Sequence, residues 1–279
     1  MQRITVVGLG IIGSAWAQNL HADGLTVRGW NRTPKNFPFY EPDLALAVTD
    51  AEMIIIVVAD PPALESVLAV IVPNLKPGQI VAQSSTISAY WTRLFAQQVE
   101  ATGAEFLEAP FTGSKPAAEA RKTVFYLGGT AELVEKARPV LERLSSARLH
   151  IGDWGTASSL KLAMNLNIAL ISEALSESLT LARAEGIPDE KFFDALHLNV
   201  GRSGFSDLKE LKFRDGDYAP QFSLKHMNKD LRLALETAGP LDLPAANALK
   251  SFYNNGMYAE MGEDDFTGMI RLLAKSRKR

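Results

Sequence analysis

Near the start of the chain, Gly8-Leu9-Gly10-Ile11-Ile12-Gly13 follows an apolar run and opens a helical pattern. In that setting Gly8 permits a tight turn, Gly10 lets a pyrophosphate approach the backbone, and Gly13 allows close helix–strand packing. The helix N-terminus adds amide donors and the positive end of its dipole. These six residues are dinucleotide-binding candidates. Further on the chain reads Trp30-Asn31-Arg32-Thr33-Pro34-Lys35, with no acid to accept from a ribose 2′-hydroxyl. Asn31 and Thr33 offer donors, and Arg32 can stack on adenine and pair with a 2′-phosphate. The expectation is NADP(H) in preference to NAD(H).

Lys161 lies in an otherwise apolar helical stretch, with Asn165 four residues on and therefore on the same face. Burying an ammonium is costly, so such a lysine either snorkels to solvent or lines a polar cleft. The helix leaves the dinucleotide-binding part directly, so its first turns should border the crevice where such folds hold ligands. Asn165 could hold a substrate or a water beside the ammonium. His21, His150, His197 and His226 show no metal-ligand spacing, and no metal is expected. Asp264-Asp265 with Glu260 and Glu263 reads as a solvated acidic turn. Arg202-Ser203-Gly204-Phe205-Ser206 reads as a loop of the helical part, either one that closes the cleft or a plain turn between helices.

The elements that must carry these groups alternate through the first half. Strands are expected at 4–7, 25–30, 53–58, 79–83, 106–108 and 124–127, and helices at 14–22, 62–71, 89–100 and 131–144. Strand–helix alternation implies an α/β fold, a Rossmann-type doubly wound, mostly parallel sheet. After residue 157 the pattern turns helical, beginning with one long helix at 158–185 closed by Gly186 and Pro188. Two domains are expected: 1–157 for NADP binding, and an all-helical 158–279 for substrate and dimerisation, joined by the long interdomain helix. The 279 residues are 47% hydrophobic and 22% charged, which excludes a wholly disordered chain. A net charge of −3 gives no basic field for nucleic acid, and the basic run at 275–279 reads as a solvated end. The absence of cysteine excludes thiol catalysis and disulfides. The apolar region at 160–182 is broken by Lys161, Asn165, Asn167, Glu173 and Glu177, so no membrane span is expected. The strand-like start leaves no room for a signal peptide, and a cytoplasmic protein is expected.

With these motifs in order, the chain resembles the β-hydroxyacid dehydrogenase family over essentially its whole length, and most of all the glyoxylate/succinic semialdehyde reductase branch. Besides the glycine motif and Trp-Asn-Arg-Thr, the likeness rests on Ser84-Ser85-Thr86, on Glu108-Ala109-Pro110-Phe111-Thr112-Gly113-Ser114-Lys115, and on Gly152-Asp153-Trp154-Gly155 followed by Lys161 and Asn165. The run from Phe222 through Lys229-Asp230 to Ala234 completes it. The resemblance implies Lys161 as catalytic acid/base with Asn165 as its companion. It places Thr86 and Lys229 on the cofactor, and Thr112, Gly113, Ser114, Phe222 and Asp230 around the substrate. It implies NADPH-dependent reduction of a small aldehyde acid such as glyoxylate or succinic semialdehyde, by a homodimer or homotetramer. An imine reductase, a 3-hydroxyisobutyrate-type dehydrogenase and a catalytically silent scaffold are the alternatives. Three residues depart from the family's pattern: Thr112 for serine, and Ala157 and Arg121 for glycine. Ala157 is tolerable unless its backbone needs positive φ. The same backbone constraint applies to Arg121, which is expected to be a solvated loop residue, with a new anion contact as the less favoured reading.

Overall fold

The structure is a computed structural model that describes residues 1–273; the basic run at 275–279 lies outside the described residues. It forms two compact units, Met1–Lys161 and a second that begins at Leu162. In the first, strands β1 (Arg3–Val7), β2 (Thr26–Trp30), β3 (Met53–Ile56), β4 (Ile80–Gln83), β5 (Glu105–Glu108), β6 (Phe111–Thr112), β7 (Thr123–Gly128) and β8 (Ser145–Gly152) build one sheet. Helices α1 (Ile11–Ala22), α2 (Leu44–Val48), α3 (Pro61–Ile71), α4 (Ala89–Glu100), α5 (Lys115–Glu119) and α6 (Ala131–Leu141) connect them. The sheet order is β2-β1-β3-β4-β5-β7-β6, with β8 beside β7.

Strand alternation explains why helices cover both faces. Ile4, Val6, Met53, Ile55, Ile80 and Ala82 point into one core with Ala15, Trp16 and Leu20 of α1 and Leu133, Ala137 and Leu141 of α6. Their neighbours Val7, Ile54, Ile56 and Val81 point into the other, with residues of α2, α3 and α4. Strands apolar on both sides must be covered on both sides, which is the doubly wound arrangement. From β2 to β5 the pairing is parallel, whereas β7 runs antiparallel to β5 and β6. The sheet is mostly parallel, as expected, with one antiparallel edge.

The long helix α7 (Thr156–Ala184) begins in the first unit. The second unit continues with α8 (Asp189–His197), α9 (Gly204–Asp215), α10 (Leu224–Ala238), α11 (Pro244–Tyr258) and α12 (Ile270–Leu273). Its main core gathers Ala169, Leu224, Met227, Leu231, Leu249, Tyr253, Phe266 and Met269. The segment expected as a loop at 202–206 is instead a helix start. Ser203 and Ser206 form a reciprocal capping box, because each hydroxyl satisfies the other's otherwise unpaired backbone amide. No helix among the described residues is long and apolar enough to cross a membrane.

Candidate functional site

The glycine turn runs from the end of β1 into α1. Gly8 has φ +103, and a Cβ there would meet the Val57 carbonyl oxygen at 2.2 Å; a Cβ on Gly13 would meet the Gly8 carbonyl oxygen at 1.9 Å. A Cβ on Gly10 would meet nothing within 4 Å. Gly10 is the N-cap of α1, and no side chain caps that helix end. Two glycines therefore close the turn, and the third opens it where unpaired amides point outward, which suits a pyrophosphate. Leu9 is wholly buried, so only its backbone belongs to this cradle, while Ile11 is exposed and Ile12 half-buried. At the end of β2, Arg32 and Thr33 are exposed, and the half-buried Asn31 donates from its amide to the Thr33 carbonyl (2.8 Å). Among the described residues the Arg32 guanidinium has no ion pair.

At the carboxyl end of β4, Ser84 and Ser85 are buried and Thr86 is half-buried. Ser85 Oγ accepts from the Val58 amide (2.8 Å). From β5 the chain passes through Pro110 into β6, bringing Thr112, Gly113 (φ +135) and Ser114 to the start of α5. Thr112 and Ser114 are half-buried and Gly113 is exposed, and the Ser114 hydroxyl makes no cap bond to α5.

Lys161 lies in the second turn of α7, 8% exposed, with its Nζ 6.0 Å from the Phe111 ring centroid. Glu108, at the end of β5, is fully buried; Oε2 accepts from the Gly155 amide (2.8 Å) and Oε1 from the Ser158 amide (2.6 Å). Burial pushes its carboxyl above the usual range, opposed by hydrogen bonds from Ser158, Gly155 and Ala157. Ser158 Oγ also lies 2.9 Å from Thr92 Oγ1. Ala157 is helical and buried, so the glycine it replaces is not needed for positive φ.

Arg121 lies in a turn as expected, but its side chain is neither free in solvent nor an anion contact. Its φ is +60, the left-handed region that favours glycine, and its guanidinium binds Asp23 bidentately at 2.7 and 2.8 Å. It also donates to the carbonyls of Asn19 and Arg143. The side chain, though partly exposed, is thus a strut beneath the C-terminus of α1, with its guanidinium taken by Asp23 and not open to an anion. The Arg121 hydrogen bond is the main cause that holds the Asp23 carboxyl below its usual range.

In the helical unit, Asn165 Nδ2 donates to Asp230 Oδ2 (2.6 Å), and Lys229 Nζ lies 3.0 Å from Asp230 Oδ1. Three of the expected residues therefore meet at a carboxylate that is 2% exposed. Phe222 stacks on His226, whose imidazole burial holds below its ordinary value, helped by Lys229 and Lys225. Asp265 is not part of a solvated turn. It is buried, pairs with the buried Lys209 (3.0 Å), and accepts from the amides of Gln221 (2.9 Å) and Phe222 (3.3 Å). It fixes the segment that carries Phe222. The signal for it was Asp265-Phe266-Thr267, a side chain that caps its own downstream turn. For Glu108 the signal was an acid closing an apolar strand.

A Rossmann-type sheet with an open glycine cradle, an acid-free β2 end and a buried lysine leading into a helical unit defines a nicotinamide-dependent oxidoreductase. Residues 3–152 match the NAD binding domain of 6-phosphogluconate dehydrogenase, and residues 155–273 match the NAD-binding domain of NADP-dependent 3-hydroxyisobutyrate dehydrogenase. The chain belongs to the β-hydroxyacid dehydrogenase family. It is similar to two Arabidopsis thaliana proteins. One is glyoxylate/succinic semialdehyde reductase 1, 28% identical over 98% of each chain. The other is the chloroplastic glyoxylate/succinic semialdehyde reductase 2, 29% identical over 99% of this chain and 81% of that one. Its fold superposes on Mycobacterium tuberculosis 3-hydroxyisobutyrate dehydrogenase with a TM-score of 0.89 at 25% identity, covering 98% of this chain and 99% of that one. It is an NAD(P)-dependent hydroxyacid dehydrogenase in the broad sense.

Proposed function

We propose that this protein reduces a short aldehyde acid, of the glyoxylate or succinic semialdehyde kind, to the hydroxy acid with NADPH. The observation that carries the reading is the nearly buried Lys161 on the first turns of α7 beside Phe111. An amine donor beside the segment that leads to Thr112-Gly113-Ser114 can give a proton to a carbonyl held there. When bound, the cofactor supplies a hydride to the carbonyl carbon. Lys161 gives a proton to the carbonyl oxygen as the C=O π bond breaks, so the product gains one C–H and one O–H bond. Asn165, oriented by Asp230, is the companion of Lys161. Thr112, Gly113 and Ser114 offer amides and hydroxyls to the substrate carboxylate, with Phe222 and Asp230 completing the substrate's surroundings. The residues from Gly8 to Gly13 hold the pyrophosphate; Asn31, Arg32 and Thr33 hold the 2′-phosphate; Thr86 and Lys229 contact the cofactor. The first domain, 1–157, is thus assigned to NADP and the second, 158–279, to substrate and self-association.

Support for the substrate class comes from the two plant reductases, whose similarity spans 98–99% of this chain. The test follows absorbance at 340 nm with glyoxylate, succinic semialdehyde and a cyclic imine, each with NADPH and with NADH. Turnover of the aldehyde acids with NADPH is expected. Turnover of the imine alone would replace this reading with an imine reductase. Lys161→Ala should leave NADPH affinity intact and lower kcat by about 10²-fold or more, and a variant as fast as the parent removes Lys161 from the mechanism. We also propose a cytoplasmic homodimer or homotetramer, since a helical unit built around one long apolar helix seldom hides all of that surface alone. A single species of about 30 kDa in light scattering at micromolar concentration would exclude the dimer.

A further inference from the structure

Nothing in the proton-donor reading explains why a carboxylate is buried in the sheet three residues before Phe111. Glu108 is wholly buried, and the structure makes room for it: a Cβ on Gly128, its partner across β7, would meet Glu108 Oε2 at 2.2 Å. The carboxylate uses both oxygens, one for the Gly155 amide and one for the Ser158 amide. Those are donors from the turn before α7 and from its first turn, which have no intrahelical acceptor. Gly155 has φ +96, and a Cβ there would come within 2.9 Å of the Ala89 Cβ, so the backbone that meets Glu108 is fixed from both sides. Trp154 adds a bond from its indole to the Phe106 carbonyl (3.0 Å), a second tie from the same turn to β5. Lys161 lies one turn beyond Ser158, and the strand that presents Glu108 goes on to present Phe111 to Lys161 and then Thr112-Gly113-Ser114.

We propose that Glu108 is a positioning residue for Lys161: seated on the Gly155 and Ser158 amides in the space left by Gly128, it sets the first turn of α7 in register with the segment from Phe111 to Ser114. The assignment rests on Lys161 being the proton donor. A carboxylate suits this task better than an amide because it offers two acceptors to two backbone donors. Glutamine offers one and turns an NH2 group against the other amide, with almost no change in volume.

The test is Glu108→Gln in the full chain, with glyoxylate and succinic semialdehyde as substrates. NADPH affinity by fluorescence titration should stay within about twofold, and KM should move little. Because proton transfer tolerates little misplacement, kcat should fall by roughly tenfold or more, and the isotope effect with NADPH dideuterated at C4 should rise as the chemical step becomes limiting. Glu108→Gln with the parent's kcat and isotope effect, even at lowered thermal stability, would reduce Glu108 to a structural cap. Ser158→Ala removes a hydroxyl donor to Glu108 but keeps both amides. It should lower kcat about two- to threefold in the same direction, and it decides the matter if Glu108→Gln does not fold, an unchanged kcat counting against the assignment. Lys161→Ala measured alongside keeps the two ideas apart, because a parent-like Lys161→Ala defeats the proton-donor reading whatever Glu108 does. Should the parent turn over neither aldehyde acid, acetic anhydride labelling at peptide resolution decides. A change of about threefold or more at Lys161 in Glu108→Gln, with the other lysines unmoved, supports the positioning role; an unchanged rate overturns it.

Discussion

Arg121 sets two opposed effects at one position, and replacing it separates them. The left-handed backbone at φ +60 costs a side-chain-bearing residue about 1 kcal/mol relative to glycine. Against this stand a bidentate pair with Asp23 and donations to the Asn19 and Arg143 carbonyls. The guanidinium side chain is 36% exposed and that of Asp23 is 21% exposed, so solvent screening reduces the net value of these bonds to about 1–2 kcal/mol. Arg121→Ala keeps the strain and loses the bonds, and should destabilise the first unit by about 1–2 kcal/mol. Arg121→Gly loses the bonds but sheds the strain, and should lie within about 1 kcal/mol of the parent. The assay is urea unfolding followed by tryptophan fluorescence. All four tryptophans, Trp16, Trp30, Trp91 and Trp154, lie in the first unit, so the signal reports that unit alone. With a slope near 2 kcal/mol per molar urea, the alanine variant's midpoint should fall below the glycine variant's by about 0.5 M. An alanine variant as stable as the parent would refute the strut, and equal midpoints for the two variants would refute the backbone strain.

Two further outcomes follow from particular side chains. Arg32→Asp should weaken NADPH binding far more than NADH binding, because it removes the 2′-phosphate partner and supplies a ribose acceptor; equal losses in a titration with both cofactors would remove Arg32 from cofactor choice. Glu173 on α7 has its carboxyl pushed up from 4.5 to about 7, by burial first and by the neighbouring Glu177 second. A raised value means its stabilisation is complete below 4.5 and is lost as pH rises through 7. Glu173→Gln should therefore raise the calorimetric Tm by roughly 3 °C at pH 8 and leave it unchanged at pH 5. A gain at pH 5 equal to that at pH 8 would show that titration of Glu173 is not the cause.

Much of this molecule is legible in its residues because apolar periodicity and glycine chemistry are local. Strands β1 to β5 and β7, with α1, α3, α4, α6 and α7, fall within three residues of the patterns that announce them. What escapes has a common cause. Strand β8 reads Ser-Ser-Ala-Arg-Leu-His-Ile-Gly and is mostly half-buried or exposed, with no alternating apolar face. The segments β6, α2 and α5 span two to five residues, too few for a period to repeat. The antiparallel placing of β7 is set by pairing between distant segments. For the candidate residues the same division holds. Lys161 beside Asn165 is visible as spacing, whereas the bonds from Glu108 to Gly155 and Ser158 join positions about fifty apart. Arg121 shows the limit from the other side: residue type suggested a loop, and only its backbone and its hold on Asp23 reveal a strut.

The three glycines of the turn also differ in who guards them. At Gly8 and Gly13 a side chain would collide with the protein's own backbone, so selection for folding alone keeps them. Gly10 faces empty space, and no internal contact would object to an alanine there. Only an approaching pyrophosphate would. In a lineage that abandoned its cofactor, Gly10 would drift first while its two neighbours stayed, and its loss would mark retirement from catalysis before stability recorded any change.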